Sequence, residues 1–173
     1  MIGTHITRPL ALLAFIATVV GANWALATFG IVPIGFGLTA PAGVFAAGLA
    51  FSLRDWLHEA GGRAWVLVAI VVGASLSYAI EPTFAIASGI AFACSELLDF
   101  AVYTPLRKRG WVPAVLASNA AGMVADSALF LWLAFGSLQF IEGQLVGKAY
   151  MTVAAIAVIW LCRNRRDLSI RQA

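Results

Sequence analysis

Four polar side chains within apolar stretches of the sequence are candidates to bind a ligand or carry a proton. Glu96 and Asp99 lie three residues apart in the stretch IAFACSELLDFAVY, so they share one face of a helix. Asn119 and Asp126 lie seven residues apart, again on one helical face. An ionisable side chain at the centre of a membrane helix costs about 2.5–3.5 kcal/mol, and it usually faces a cavity or a partner. The four residues therefore predict a polar site at membrane depth.

The depths of these residues indicate that they could meet. At a rise of about 1.5 Å per residue, Glu96 and Asn119 are expected about 10 Å from the same end of two consecutive helices. Asp126 is expected about two turns further along the second helix. A short connection joins the two helices, which favours packing as neighbours and one shared polar pocket. Aromatic residues lie on the same two faces, namely Phe92, Tyr103 and Phe130.

Each of these residues also has a purely structural interpretation. Asp99 is close enough to the end of its helix to pair with Arg107 or Arg109. Asn119 could hydrogen-bond to a neighbouring helix and only hold the two together. Lys148 is expected in the first turn of the last span, from where it could extend to the membrane surface.

The elements that must position these residues are membrane-spanning helices. The 173-residue chain is 62% hydrophobic and 11% charged, whereas soluble domains carry about 25% charged residues. A spanning helix needs about 20 mostly apolar residues, and membrane strands would alternate in polarity, which these stretches do not. We predict an all-α integral membrane protein, a single domain over residues 1–173, in which a compact bundle has six spans at 9–29, 39–57, 64–80, 83–103, 112–135 and 145–162.

The positive charges predict the orientation of this bundle. With a cytoplasmic N-terminus, ten of the eleven Lys and Arg residues lie on the inner side and Lys148 is the exception. We therefore expect a multi-pass protein of the cytoplasmic membrane with both termini inside. The segment ALA at 25–27 resembles a signal-peptide cleavage site, and cleavage there would leave five spans. The net charge of +3 follows from topology, so no nucleic-acid partner is expected.

The connection GIVPIGFGLTAP at 30–41 is rich in Gly and Pro yet apolar. Irregular backbone near a membrane is tolerated only against protein or a water-filled cavity, so we expect an outer lid here. Thr39 could cap the second helix, with Pro41 in its first turn.

Resident cofactors and metals are not expected. Cys94 and Cys162 lie at membrane depth and at the cytoplasmic edge, and His5 and His58 are isolated. The sequence contains neither a Cys/His metal cluster nor a Gly-rich phosphate loop followed by Lys. An intramembrane protease would need two Asp on different helices with a Gly beside one, and the neighbours of Asp99 are Leu98 and Phe100. We therefore expect no enzymatic activity.

Three stretches together resemble the VUT family of small bacterial membrane proteins, the queuosine-precursor transporters. The first is LTAPAGVFAAGLAFSLRDWLHEAGGRA, with the matching residues Thr39, Pro41, Asp55, Glu59 and Arg63. The second is IASGIAFACSELLDFAVYTPLRKRG, with Ala87, Ser88, Asp99 and Arg107. The third is ASNAAGMVADSALFLWLAFG, with Ser118, Asp126, Phe130 and Phe135. The resemblance covers residues 30–152, and the first motif is a candidate gating segment at the cytoplasmic side.

The sequence departs from the family pattern at three positions. Glu96 stands where the family usually has Gln, Asn119 where it has Thr, and Met123 where an amide is common. Family members often carry a Lys in the last span, but the motifs do not fix its register onto Lys148. These departures affect the expected ligand contacts more than the expected fold.

The resemblance implies uptake of a 7-deazaguanine, in its 7-cyano or 7-aminomethyl form. A carboxylate accepts from the N–H groups of a guanine edge, and an amide both donates and accepts. On this basis Glu96 or Asp99 would hold the guanine edge, and Asn119 would orient the ring. Asp126 would be a second contact or a proton carrier. Phe92, Tyr103 or Phe130 could stack on the heterocycle, with Ser118 nearby.

A second function remains open from the sequence. Substrate-binding subunits of energy-coupling-factor transporters are also bundles of about six helices, and they use a separate ATPase module. They dock through small residues on an early helix, and Ala17 and Gly21 could serve in this way. The expected partners are therefore a small molecule, the lipid bilayer and, in this second interpretation, an ATPase module. A homo-oligomer is also compatible with the sequence.

Overall fold

The structure is a computed structural model that describes the backbone of residues 4–171. Its side chains are described except at residues 4–6, 111, 112, 115, 156 and 159–171. The predictions for the side chains of His5, Cys162 and the basic residues of the C-terminal tail fall outside these described residues. Within residues 4–171 the fold consists of six helices and one two-stranded hairpin: α1 (Thr4–Phe29), β1 (Ile31–Gly35), β2 (Leu38–Pro41), α2 (Val44–Gly61), α3 (Arg63–Tyr78), α4 (Pro82–Leu106), α5 (Trp111–Phe135) and α6 (Ile141–Arg171).

The predicted all-α bundle of six helices is confirmed. Among the residues whose side chains are described, three stretches are long and apolar enough to cross a membrane, at Thr7–Phe29, Pro82–Leu106 and Leu116–Phe135. Capping residues mark the start of α4 and the end of α5. Glu81 caps α4 by accepting from the Thr83 N–H at 3.1 Å, with Pro82 in the first helical position. Gly136 ends α5 in the left-handed conformation, with a φ of 64°.

Many large apolar side chains lie on the outside of the bundle, although Phe15, Leu57 and Leu131 are fully buried. Leu13, Leu97 and Trp132 are each more than half exposed, as suits helices that face lipid chains. The buried interior of α4 consists of Ala85, Ala87, Ala91 and Ser95. Small interior residues let helix backbones approach closely, as is common in membrane proteins. The many exposed apolar side chains agree with the apolar composition.

The connection between α1 and α2 is ordered as a β-hairpin, which was not predicted. Strands β1 and β2 pair antiparallel, with Val32 opposite Ala40 and Pro33 opposite Thr39. Phe36 and Gly37 form the tip with positive φ angles of 53° and 74°. The hairpin rests on the start of α6, where a Cβ on Gly143 would lie 2.0 Å from the Thr39 carbonyl oxygen. A glycine at Gly143 is therefore required by this contact.

The hairpin corrects the predicted start of the second helix. Thr39 and Pro41 lie in β2, so Thr39 does not cap α2 and Pro41 is not in its first turn. Helix α2 begins instead at Val44, after Gly43, which makes no side-chain cap. Pairing with β1 satisfies backbone groups of β2 that an irregular loop would leave open.

Candidate functional site

A central cavity of about 70 Å³ lies between the helices. All six helices and the end of β2 contribute to its wall, which is mostly apolar. Pro41 lines it from the hairpin, and Phe92 and Phe130 line it from α4 and α5. A small set of polar side chains interrupts this wall, and it includes Asn23, Ser88, Asp126, Gln144 and Lys148. Apolar cavities with a few convergent polar groups are typical of small-molecule sites.

Lys148 and Asp126 form a buried ion pair at this cavity. The Lys148 Nζ donates to Asp126 Oδ2 at 2.5 Å and to Ser127 Oγ at 2.7 Å. The Lys148 side chain is only 1% exposed, so the expectation that it extends to the membrane surface is wrong. Helix α6 begins at Ile141, which places Lys148 two turns inside it. The backbone of α2 is close at this point, because a Cβ on Gly48 would lie 2.8 Å from the Cα of Lys148.

Asn23 joins α1 to α4 on another side of the cavity. Its Nδ2 donates to Ser88 Oγ at 3.1 Å and to the Val19 carbonyl oxygen at 3.0 Å. Ser88 belongs to the second motif of the family resemblance, whereas Asn23 was not singled out from the sequence. Asn23 is the only amide in the apolar stretch of the first span, and that isolation was the signal available.

Gln144 was also missed by sequence reasoning. It lies in the first turn of α6, is 2% exposed and lines the cavity. Its Oε1 is buried and has no hydrogen-bond partner among the described residues. The sequence places Gln144 just before the predicted last span, where an amide is unremarkable, so only the observed start of α6 shows that it is internal.

A second polar cluster is centred on Arg54, closer to the end of the bundle that holds the N-terminus. The buried Arg54 guanidinium donates to Asp55 at 2.9 Å, to Asn119 at 3.1 Å and to Glu96 in a close ion pair. Arg54 thereby connects α2 to α4 and α5. The sequence-based interpretation counted Arg54 only as a basic residue of the inner side, although it precedes the predicted end of the second span.

The aromatic ring of Phe51 lies between the two clusters. The Arg54 guanidinium carbon and the Lys148 Nζ are each 5.6 Å from the centre of this ring. Phe92, from α4, packs on the same ring at 5.5 Å between ring centres.

The four polar residues predicted to share one pocket are therefore divided between the two clusters. Asp126 lines the central cavity, while Glu96 and Asn119 contact Arg54 on the other side of Phe51.

Other predicted residues lie near the Arg54 cluster or at the basic end of the bundle. The Asp99 carboxylate is half-buried, and its Oδ1 has no hydrogen-bond partner among the described residues. Its proposed ion pair with Arg107 or Arg109 is not among those of the described side chains.

The remaining predicted residues lie apart from the cavity. The Arg107 guanidinium carbon lies 5.8 Å from the centre of the Tyr103 ring. Ser118 is buried within α5, and Glu59 is exposed near the end of α2.

Arg63, from the candidate gating segment, packs against α4. Its guanidinium carbon lies 3.7 Å from the centre of the Phe100 ring. Arg8 likewise reaches across the same end of the bundle and donates to the Ala60 carbonyl oxygen at 3.4 Å. These contacts bring the ends of α1, α2, α3 and α4 together.

A protein-family model described as "putative vitamin uptake transporter" matches residues 76–163, about half of the 173 residues. The chain belongs to this family. Membership makes it a membrane transporter of small molecules, in agreement with the resemblance found in the sequence. The matched range covers α4, α5 and much of α6, and thus Glu96, Asp126 and Lys148. The chain has no match among curated proteins or among solved structures.

Within this vitamin uptake transporter, the matched range contains the second and third sequence motifs. The first motif, at 38–64, precedes that range. Arg54 and Asn23 also lie outside it, yet each contacts a residue inside it, namely Glu96 and Ser88. The Arg54 cluster and the Asn23–Ser88 contact are therefore assembled partly from the matched half of the transporter and partly from the helices before it. The ion pair of Lys148 and Asp126 lies entirely within the matched half.

Proposed function

We propose that this transporter imports a queuosine precursor, either 7-cyano-7-deazaguanine or 7-aminomethyl-7-deazaguanine, by way of the central cavity. The observation that carries the proposal is the set of buried polar residues, centred on Asp126, in an otherwise apolar cavity of a vitamin uptake transporter. The motifs in α4 and α5 support the substrate, because they resemble those of the queuosine-precursor transporters.

The proposed ligand contacts follow from which predicted residues line the cavity. Asp126 would accept from the exocyclic amine of the guanine edge, because it lines the cavity, whereas Glu96, which contacts Arg54, does not. Phe92 and Phe130 would contact the flat ring, where stacking is worth about 1–3 kcal/mol per base in other systems. Glu96, Asp99 and Asn119 would meet the substrate on its way from the cavity toward the basic end of the bundle.

The size of the cavity implies that transport requires helix movement. Its volume of about 70 Å³ is well below the roughly 300–1,000 Å³ of ordinary ligand pockets. A bicyclic substrate would enter only if helices around the cavity separated. Where uptake is proton-driven, we place the proton on Asp126, because the cavity brings substrate and carboxylate together. Uptake that continues at an unchanged rate after a protonophore has dissipated the proton gradient would contradict proton coupling.

The orientation proposed for the bundle has both termini in the cytoplasm. Arg8, Arg63 and Arg107 lie at one end of the bundle by the order of the helices, and basic residues favour the cytoplasmic side. The β-hairpin would then face outward. A reporter enzyme that is active only in the cytoplasm should therefore be active when it is fused after the last residue. A reporter enzyme that is active only outside the cytoplasm should be inactive at the same position.

The decisive test is rescue of tRNA modification. The chain is expressed in bacterial cells that lack both precursor synthesis and their own precursor transporter, and either 7-deazaguanine is supplied in the medium. We expect queuosine to reappear in tRNA at nanomolar to micromolar precursor, measured by mass spectrometry of tRNA digests. An Asp126→Asn variant at equal membrane abundance should not rescue. No queuosine with the unmodified chain would rule out this substrate.

A second candidate is the substrate-binding subunit of an energy-coupling-factor transporter. The face of α1 that carries Ala17 and Gly21 favours it, because Ala17 is exposed and a Cβ on Gly21 would meet nothing within 4 Å. Such an open small-residue face suits close docking of another helix. The cells used for the tRNA rescue experiment distinguish the two candidate functions. Uptake that appears only when an ATPase module is co-expressed would favour the second candidate.

A further inference from the structure

Gln144 carries an unsatisfied polar group that its structural role does not explain. Its side chain is buried and lines the cavity, and its Oε1 has no hydrogen-bond partner among the described residues. Most buried polar groups are hydrogen-bonded, and a native exception calls for an explanation. The backbone holds Gln144 firmly, because its N–H donates to the Phe140 carbonyl oxygen at 2.9 Å and neighbouring Gly143 packs on the hairpin.

The other polar side chains of the cavity already have partners within the protein. Thr18 donates to the Phe15 carbonyl oxygen, and Asn23 and Ser88 bond to each other. Lys148 donates to Asp126 and Ser127. Gln144 thus differs from its neighbours in offering an open hydrogen-bonding group to the interior of the cavity.

We propose that Gln144 reads the edge of a neutral, planar heterocycle that presents an N–H next to a carbonyl group. A glutamine amide carries an acceptor and a donor side by side, so it can pair with such a lactam edge through two hydrogen bonds. This inference rests on the proposed function and narrows its substrate class. For a 7-deazaguanine the edge is the ring N–H and its adjacent carbonyl.

The neutrality of the ligand follows from the charges in the cavity. The Lys148 ammonium is paired with the Asp126 carboxylate, so the described part of the cavity wall has no unpaired charge to receive an ion. Burying an unpaired charge is costly. The neutral 7-cyano form should therefore bind more tightly than the 7-aminomethyl form, whose amine is protonated at neutral pH. Equal affinity for the two forms would overturn this part of the inference.

The test measures binding to the full chain purified in detergent. Gln144→Met keeps the length of the side chain but removes the amide, and Gln139→Met is the control, because Gln139 is exposed before α6. We expect Gln144→Met to weaken binding of 7-cyano-7-deazaguanine about tenfold to hundredfold, as for two lost hydrogen bonds. Gln139→Met should leave affinity unchanged. Unfolding temperatures of both variants show whether the fold is retained, and a Gln144→Asn variant supplies a second test if Gln144→Met does not fold.

A modified ligand shows whether the contact is the one proposed. Methylation of the ring nitrogen next to the carbonyl removes the N–H donor and should weaken binding to the unmodified chain by a similar factor. The same methylation should weaken binding to Gln144→Met little further, because the contact is already gone. Equal losses in both proteins, or full affinity of Gln144→Met, would overturn the inference.

The failure of the proposed substrate would leave a different pattern. Guanine and uracil are neutral lactams, whereas nicotinate is an anion without a lactam edge. If the 7-deazaguanines do not bind but guanine or uracil binds and depends on Gln144, the proposed function fails and the inference stands. Preferential binding of nicotinate, or no binding of any lactam, would overturn the inference itself.

Discussion

The bundle buries two cations, Lys148 and Arg54, in contrasting surroundings. Lys148 and its partner Asp126 are both nearly inaccessible, with side-chain exposures of 1% and 9%. Arg54 is as deeply buried at 6%, but its carboxylate partners Glu96 and Asp55 are 22% and 55% exposed. The Lys148 pair is closed off at the cavity, whereas the Arg54 cluster opens toward one end of the bundle.

This difference separates a binding role from a connecting role. A fully buried ion pair must remain complete, since removing one partner leaves an uncompensated charge. The Arg54 cluster has three acceptors on three helices, so the loss of one leaves others in place. We expect the Lys148 cluster to be sensitive to any change and the Arg54 cluster to tolerate partial ones.

Neutralising Asp126 should have the largest effect. Asp126→Asn preserves shape but leaves the Lys148 ammonium without its counter-charge, which should lower the free energy of unfolding by about 3–5 kcal/mol. Uptake of the precursor should also be lost. Chemical denaturation in detergent and uptake into cells measure the two effects. Adding Lys148→Met to this variant should restore most of the stability but not the uptake. An Asp126→Asn protein as stable as the original would contradict the buried-pair interpretation.

Removing Arg54 should have a smaller effect on stability. Arg54→Met leaves Glu96 and Asn119 without their donor, but water can reach the partly exposed carboxylates. We therefore expect a loss of about 2 kcal/mol in the free energy of unfolding. Arg54→Lys should fall between, because an ammonium cannot reproduce the planar fork that reaches several acceptors. Arg109→Met is the matched control, because the Arg109 side chain is exposed. A loss as large as that of Asp126→Asn would show that the two clusters are equally closed.

The parts of this fold that could be predicted are those determined locally by hydropathy. Apolar stretches such as 83–103 and 112–135 correspond closely to α4 and α5, because lipid contact requires continuous apolar residues. The hairpin was missed since its residues are as apolar as the spans around it. Its signal was the IGFGL segment, where Gly35 and Gly37 flank Phe36 and all three residues have positive φ angles.

The polar clusters were harder to predict because their pairings cross the bundle. Asp126 was correctly placed deep in a helix, but its partner Lys148 depends on where α6 begins and on the close approach of Gly48. Arg54 was counted with the surface charges, because a charge-based topology rule does not distinguish a buried arginine from an exposed one. Glu96 and Asn119 were expected at one level, and Arg54 bonds to both of them.

Glu96→Gln and Asp126→Asn make the same chemical change in the two clusters. Gln at position 96 retains an oxygen that can accept from Arg54, and Asp55 continues to neutralise the guanidinium. We expect Glu96→Gln to cost about 1 kcal/mol of stability and to reduce uptake only a few-fold. Initial rates of precursor uptake at equal membrane abundance give the comparison with Asp126→Asn. A complete loss of uptake in Glu96→Gln would return Glu96 to the substrate site.

The smallest expected effect is the coupling of the two clusters through Phe51. Both cations lie 5.6 Å from its ring centre, where a cation–π contact is worth about 0.5–1 kcal/mol. When one cation is removed, the ring can turn toward the other. The stability losses of Arg54→Met and Lys148→Met should therefore fail to add by about 0.5 kcal/mol in the original background. In a Phe51→Leu background the two losses should add. The same non-additivity in both backgrounds would mean that the clusters communicate through the helix backbones, since the aromatic ring that separates them would then have no part in it.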